Sequence, residues 1–490
     1  MENLLTQLKS SSQGKRLIAH STSQSLTTAD LIERCERLSE LLTEKKIRVL
    51  ALHGDNSINW LIIDLACQQA EICLIPLPTF FSKNQLEHIF DTAPIDAILS
   101  MQDNFFISLL TNKISNSQET ILSGYHLLIL KQASSSNSLP KNTQKITFTS
   151  GSTGKPKGVC LSSHQLLEKA KMLAETIELK NQRHLCLLPL STLLENVAGL
   201  YMPLLSNGEV IIPSLLENGF YGSSSLDCEK FCQSISHHKP SSIILTPQLL
   251  TALISAVEAG WSLPTSLEFI AVGGSKLSQH LLTQAHNLAL PVYEGYGLSE
   301  CGSVISLNTA RHNKPGSCGK PLAHLNITLD DNEIIVSGNT MLGYLGDSNS
   351  WNKKQFRTGD LGSLSNDGYL TINGRKKNLL ISSFGRNINP EWVESEILSH
   401  PSITECIVLG DEKPYCIALL STQNAENNDA ALQQLIDISN ARLPDYARVK
   451  RWHRLSDPLA TQKELMTPNG RPRRQAIEAQ YQHHIESLYS

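Results

Sequence analysis

Residues 147–158 read TFTSGSTGKPKG, a dense run of hydroxyls, glycines and lysines behind a short apolar stretch. A phosphate-holding loop needs such a mixture: hydroxyl and N–H donors, with glycines that let backbone come close to the ligand. The nucleotide-binding P-loop pattern is G-x-x-x-x-G-K-[S/T]. Here Gly154-Lys155 supplies the G-K, but Thr149 stands where the first glycine belongs. Pro156 follows the lysine, and it brings no hydroxyl for a cation and a ring that opposes a following helix. The stretch is therefore another kind of phosphate loop or an ordinary turn. Two later clusters bear on that choice. Residues 293–302, YEGYGLSECG, combine an aromatic, glycines and the acids Glu294 and Glu300, and are expected to form one turn after a strand-like LALPV. Residues 357–375, RTGDLGSLSNDGYLTINGR, place Asp360 and Arg375 around an expected hairpin at NDG. Any one of these alone is commonplace. Three in order offer phosphate donors, a hard-cation ligand and a charged double acceptor for vicinal hydroxyls.

The surrounding sequence alternates helix and strand patterns. LTTADLIERCERLSELLTEKK has helical apolar spacing with Thr27 or Thr28 near its start, and IRVLALHG follows as a buried strand. SINWLIIDLACQQA and EICLIPL repeat the pair. The alternation predicts an α/β fold of mainly parallel sheets with flanking helices. Residues 133–144, ASSSNSLPKNTQ, read as a flexible loop leading into the strand KITFT. Beyond the glycine-rich loop, GVCLS reads as a strand, and Ser162 with Gln165 forms a capping box for the next helix.

With 490 residues, two or more structural units are expected. The composition, 18% charged and 40% hydrophobic, is that of a folded soluble chain. A net charge of −4 with no long basic run offers no face for nucleic acid. No stretch is apolar enough for a signal peptide or a membrane span, which points to a cytoplasmic protein. The eleven scattered cysteines, without a C-x-x-C pair, fit buried thiols better than disulfides or zinc. Cys228 and Cys232 lie one helical turn apart but lack clustered partners.

TSGSTGKPKGV, YGLSE, RTGD and GRKKN together resemble the ordered signatures of the adenylate-forming superfamily, over about residues 25–475. That superfamily includes acyl-CoA synthetases, luciferases and the adenylation domains of peptide synthetases. LPLSTLLEN, GRKKNLLISSFGRNINPEWVE and ELMTPNGRPRR are closest to its branch acting on medium- and long-chain fatty acids. The resemblance implies a large N-terminal ATP- and acyl-binding domain, 1–374, and a small mobile α+β C-terminal domain, 375–490. It implies ATP-dependent formation of acyl-AMP, then transfer to a pantetheine thiol, of coenzyme A or of a separate carrier protein. Thr149, Ser150, Gly151, Ser152, Thr153, Gly154 and Lys155 would hold the β- and γ-phosphates. Glu300 would ligate Mg²⁺, and Ser299 would touch the α-phosphate. Tyr296 would stack on adenine, with Gly273, Gly274, Ser275, Glu294, Gly295 and Gly297 around the nucleotide. Asp360, assisted by Arg375, would accept from the ribose hydroxyls. Lys377 would be the hinge of a swinging domain, and Gly385 would let backbone pass close to the pantetheine arm.

Residues 188–205, LPLSTLLENVAGLYMPLL, would line the acid's pocket, with Glu195 its one acid and Thr192 where fatty-acid members commonly carry His. The chain departs from the pattern again near its end. Where the family has a lysine after glycine, this chain has Arg471 after Gly470. Arginine keeps the charge but not the shape. Arg471 is therefore expected to bridge the attacking carboxylate and the α-phosphate. The alternative class is a nucleotide- or acyl-binding pseudoenzyme with a sensing or partner-binding role.

Overall fold

A computed structural model describes residues 3–11, 14–111, 113–131, 138–149, 156–222, 225–422, 428–462, 464–467 and 471–490. The expectations for Ser150, Gly151, Ser152, Thr153, Gly154 and Lys155 lie outside those residues, as does the first part of the expected 133–144 loop.

Two large sheets share one core. The first has eight strands and the second nine. Leu50 and Leu161 from the first meet Val210 and Ile244 from the second, across a layer of helices. The helix Thr28–Glu44 starts at Thr27, which exchanges hydrogen bonds with Asp30 in a capping box, and buries Leu31, Cys35, Leu38 and Leu42. That spacing is the apolar stripe of a helix lying on a sheet. In Ile58–Gln69, by contrast, ten of twelve residues are buried, Trp60, Leu61, Ile62 and Ile63 in sequence. A helix apolar all round belongs inside.

The parallel sheets expected from the alternation form the centres only. Val49–His53 pairs parallel with Cys73–Leu77 and Ala97–Ser100. Ser242–Leu245, Phe269–Val272 and Val292–Tyr296 run parallel in the second sheet. The edges are antiparallel, and one antiparallel pair is Lys145–Thr149 with Lys157–Leu161, so the glycine-rich stretch connects two paired strands. Ser162 and Gln165 form the expected capping box.

One expected turn is corrected. Tyr293, Glu294, Gly295 and Tyr296 belong to the strand Val292–Tyr296, while LALPV contributes only its last residue to that strand. Arg357–Asp360 lie within the strand Gln355–Leu364. The glycines of YEGYG suggest a turn. Inter-strand bonding overrides that preference there. The NDG hairpin is present: Gln355–Leu364 pairs antiparallel with Leu370–Arg375, in a separate four-stranded sheet.

After Arg375 comes a short 3₁₀ turn, Lys376–Asn378, then a compact α+β unit. Its three-stranded sheet, Ile403–Leu409, Cys416–Thr422 and Val449–Arg454, packs on the helices Pro390–Ile397 and Asp429–Ala441. All eleven cysteines are free, and Cys228 alone among them is exposed. Among the described residues, no helix is long and apolar enough to cross a membrane.

Candidate active site

The strands Ser242–Leu245, Phe269–Val272 and Val292–Tyr296 end together, and in open α/β sheets ligands bind beyond such carboxyl ends. Tyr296, the last residue of its strand, donates its hydroxyl to Asp360 Oδ2 at 2.5 Å. Arg375 Nε lies 2.6 Å from Asp360 Oδ1. The hairpin register sets Asp360 directly opposite Arg375, so NDG is the turn that makes the pair. Asp360 is only 3% exposed, and this burial raises its pKa against the pull of Arg375 and the Tyr296 hydrogen bond. A carboxylate has about four acceptor sites, so two committed donors leave room for a ribose. Gly297 closes the turn after Tyr296: a Cβ there would fall 1.7 Å from the Ser303 carbonyl, so only glycine fits.

Ser299 and Glu300 follow on a 3₁₀ turn, Ser299–Cys301. The Tyr344 hydroxyl donates to Glu300 Oε1 at 2.9 Å, and the Glu300 carbonyl accepts from Met341 N at 2.7 Å. Among the described residues no cation stands within ion-pair distance of Glu300. A half-buried carboxylate met by one neutral donor fits a hard divalent cation. Thr149 ends its strand at the start of the glycine-rich stretch.

The C-terminal unit reaches into this cleft. Arg471 Nη2 donates to the Gly274 carbonyl at 3.0 Å. Its own segment is held by Arg471 N on Thr467 Oγ1 at 2.9 Å and Thr467 N on the Arg471 carbonyl at 2.6 Å. Arg471 is solvent-accessible, yet crowding and then Arg375 lower its pKa, while Asp360, Glu300 and Glu391 oppose that. Gly274, at φ +88°, turns its carbonyl where few other residues could, and Ser275 beside it is exposed. Lys377 is exposed on the 3₁₀ turn; partial burial, then the charges of Arg375 and Arg471, depress its pKa. Asn389 on the C-terminal side donates to the Asn373 carbonyl at 2.6 Å, holding that unit against the hairpin.

Two expected residues stand apart. The Glu294 side chain is buried away from the Asp360 group, against the Cys318 thiol at 3.5 Å, and burial pushes its pKa up to about 7 despite Lys276. Gly385 sits at φ +71° in open space, next to Phe384, which is 77% exposed. No described contact joins it to the Asp360 group.

Behind Tyr296 and Gly295 opens an apolar cavity of about 570 Å³, its solvent-open mouth included. Leu194, Ala198 and Met202 line one wall, while Leu193 packs into the core. That wall includes a π-helix, Glu195–Tyr201, an uncommon geometry that often marks functional sites. It is moored by a buried cluster: Lys145 Nζ lies 2.8 Å from Asp64 Oδ1, and the Tyr201 hydroxyl and Asn196 Nδ2 donate to Asp64 Oδ2 at 2.6 and 2.9 Å. Sequence reasoning did not find the cavity's far end. Gln182, His184 and Ser242 come from two separate strand regions, and no local pattern joins them.

Comparison with known proteins gives the family and the fold. A family model described as AMP-binding enzyme matches residues 7–345, and one described as AMP-binding enzyme C-terminal domain matches residues 377–490. A long-chain-fatty-acid–CoA ligase of Mycobacterium bovis is 26% identical over 56% of this chain and 54% of its own length. A 2-succinylbenzoate–CoA ligase of Bacillus velezensis is 32% identical over 56% of this chain and 57% of its own length. The chain thus spans little more than half of these two relatives. The 2-succinylbenzoate–CoA ligase of Staphylococcus epidermidis is matched over 92% of this chain and 94% of its length, at 26% identity. In fold, the chain is similar to an anthranilate CoA ligase crystallised with anthranoyl-AMP, with TM-score 0.82, 16% identity and 98% and 97% coverage. It is also similar to o-succinylbenzoate CoA synthetase of Bacillus subtilis with its acyl-adenylate, with TM-score 0.77, 23% identity and 98% coverage of both.

Proposed function

Because the chain belongs to the AMP-binding enzyme family, we propose that it ligates a carboxylic acid to a thiol at the expense of ATP, through an acyl-adenylate. The observation that carries this is the meeting of three parts at one point. Arg471 from the C-terminal unit contacts Gly274 at the mouth of an apolar cavity, beside Tyr296, Asp360 and Arg375.

In this reading the acid's body lies in the cavity with its carboxylate at the mouth. A carboxylate oxygen attacks the α-phosphate and pyrophosphate leaves. Charge gathers on the phosphate oxygens, and a fixed guanidinium there stabilises it without reorganisation. Asp360, kept in place by Arg375 and Tyr296, orients the ribose, and Thr149 leads into the segment 150–155 that would hold the β- and γ-phosphates. Mg²⁺, when bound, neutralises phosphate charge, and Glu300 is the residue to hold it. The C-terminal unit, residues 375–490, then turns about Lys377 and brings the Gly385 turn toward the thiol. Sulfur attacks the acyl carbonyl, and AMP departs.

The relatives named as CoA ligases favour coenzyme A as acceptor over a carrier protein. Their acids are of two kinds, fatty and aromatic, so their names alone do not select between them. Eleven free cysteines suit a reducing compartment, which supports a cytoplasmic site. The test is pyrophosphate release across a panel of acids, with coenzyme A and holo-carrier protein supplied in parallel. Release and AMP formation with at least one acid are expected. Their absence with every acid, in a chain that still binds ATP, favours the pseudoenzyme.

A further inference from the structure

Away from its mouth the apolar cavity is lined by Gln182, His184 and Ser242, which are hydrogen-bonded to one another and, through His184, to Glu195. Gln182 Nε2 donates to Ser242 Oγ at 2.9 Å; His184 Nδ1 lies 2.9 Å from the same Oγ, and His184 Nε2 lies 3.1 Å from Glu195 Oε1. All four residues are at most 2% exposed. The bonds form one directional chain. With the proton on Nε2, His184 donates to Glu195, accepts the Ser242 hydroxyl through Nδ1, and leaves Ser242 to accept from Gln182. With Glu195 protonated, the His184–Glu195 and His184–Ser242 bonds reverse and the chain stays connected.

The backbone holds this group as firmly as its hydrogen bonds do. His184 and Ser242 are register partners on adjacent parallel strands, inside the nine-stranded sheet. On its other side, His184 pairs with Val210. Glu195 belongs to the moored π-helix, and Gly199 leaves room for the pair: a Cβ there would stand 2.7 Å from both Glu195 Oε1 and His184 Nε2.

We propose that the Gln182–Ser242–His184–Glu195 group is a fixed floor that restricts the acid to a compact apolar body, an aromatic or short-chain acid, and turns away long alkyl chains. This rests on the cavity being the acid's pocket. A longer tail must either break a buried hydrogen bond that no water replaces, or leave its end in water. The 570 Å³ includes the mouth, where the carboxylate meets the nucleotide, so the closed part is smaller still. A single methylene too many in a closed pocket is commonly worth about 10- to 200-fold in discrimination.

The experiment is a series of straight-chain acids from four to sixteen carbons alongside benzoate and substituted benzoates, read as kcat/KM for pyrophosphate release by the full chain. The expected result is a maximum among aromatic acids and chains of up to about eight carbons, with a fall of at least tenfold by twelve. Equal or better use of the twelve- to sixteen-carbon acids overturns the floor while leaving the ligase reading intact. If no acid releases pyrophosphate, the ligase reading fails instead. Calorimetric titration with sulfamoyl mimics of the benzoyl, octanoyl and hexadecanoyl adenylates then decides the floor by affinity alone. Tighter binding of the compact mimics supports it; hexadecanoyl binding as tight, or binding of none, overturns it. H184A should shift the length optimum upward, raising the ratio of dodecanoate to benzoate use at least tenfold. That change leaves Glu195 buried without its partner, at a cost in stability, so the parent's own length series decides the proposal.

Discussion

Asp360 and Glu300 engage their surroundings differently, and the consequences of removing them differ in kind. Asp360→Ala strips Tyr296 and Arg375 of a shared acceptor and, in the proposed reading, a ribose of its anchor; Glu300→Ala removes one anionic oxygen site from a half-buried turn. Each should lower turnover by roughly 10²- to 10³-fold in a folded chain, and a near-normal rate in either would exclude that residue. Arg471→Ala should slow adenylation by on the order of 10²-fold or more while sparing thiol capture of supplied acyl-adenylate. Arg471→Lys should keep or raise the adenylation rate, as assayed by pyrophosphate exchange. Glu294 belongs to stability. Its carboxyl titrates near 4.5 when unfolded and at about 7 when folded, because burial disfavours the anion. Between those values the folded chain binds more protons than the unfolded one, so stability falls as pH rises through that window and levels off above it. The loss is on the order of 3 kcal/mol at most. Glu294→Gln should flatten the denaturation midpoint between pH 4.5 and 7; an unchanged slope would place the effect elsewhere. Residue types were legible where a motif concentrates them, as at Asp360, Arg375 and Arg471. Glu294 misled because the motif's glycines hid the strand that buries its carboxyl against the Cys318 thiol. His184 and Ser242 carried no signal, since their meeting depends on a parallel register between segments 58 residues apart.

At the scale of elements, the helices and their caps were the most readable, because Thr27 with Asp30 and Ser162 with Gln165 are local chemistry. The antiparallel sheet edges and the π-helix were not. The first depends on which strands meet, and the second on the Asp64–Lys145 cluster that holds Asn196 and Tyr201. The turn Lys376–Asn378 is the element proposed to have a kinetic role. Lys377→Pro fixes φ in the segment about which the C-terminal unit is proposed to turn. Adenylation and thioester formation, timed separately, should then be impaired unequally. Equal losses would place the hinge outside this turn.

Across the whole molecule, the cleft is completed by groups far apart in the sequence. Arg471 reaches Gly274 across 197 residues, and Asn389 reaches back to Asn373 on the hairpin. The two family matches stop and start on either side of that hairpin, at 345 and 377. The hairpin therefore belongs mechanically to both parts. Asp360 and Arg375 face each other in register, and Lys376, the very next residue, opens the 3₁₀ turn. A ligand that loads Asp360 pulls on the strand end from which the C-terminal unit departs. In the proposed reading, in which the C-terminal unit turns and Asp360 holds the nucleotide, binding and orientation are linked, and linkage is reciprocal: whatever factor the nucleotide applies to the balance of orientations, orientation applies to nucleotide affinity. A crosslink that fastens Asn389 to Asn373 should change the dissociation constant of AMP without touching any atom that contacts it. The direction of that change would report which orientation the nucleotide prefers.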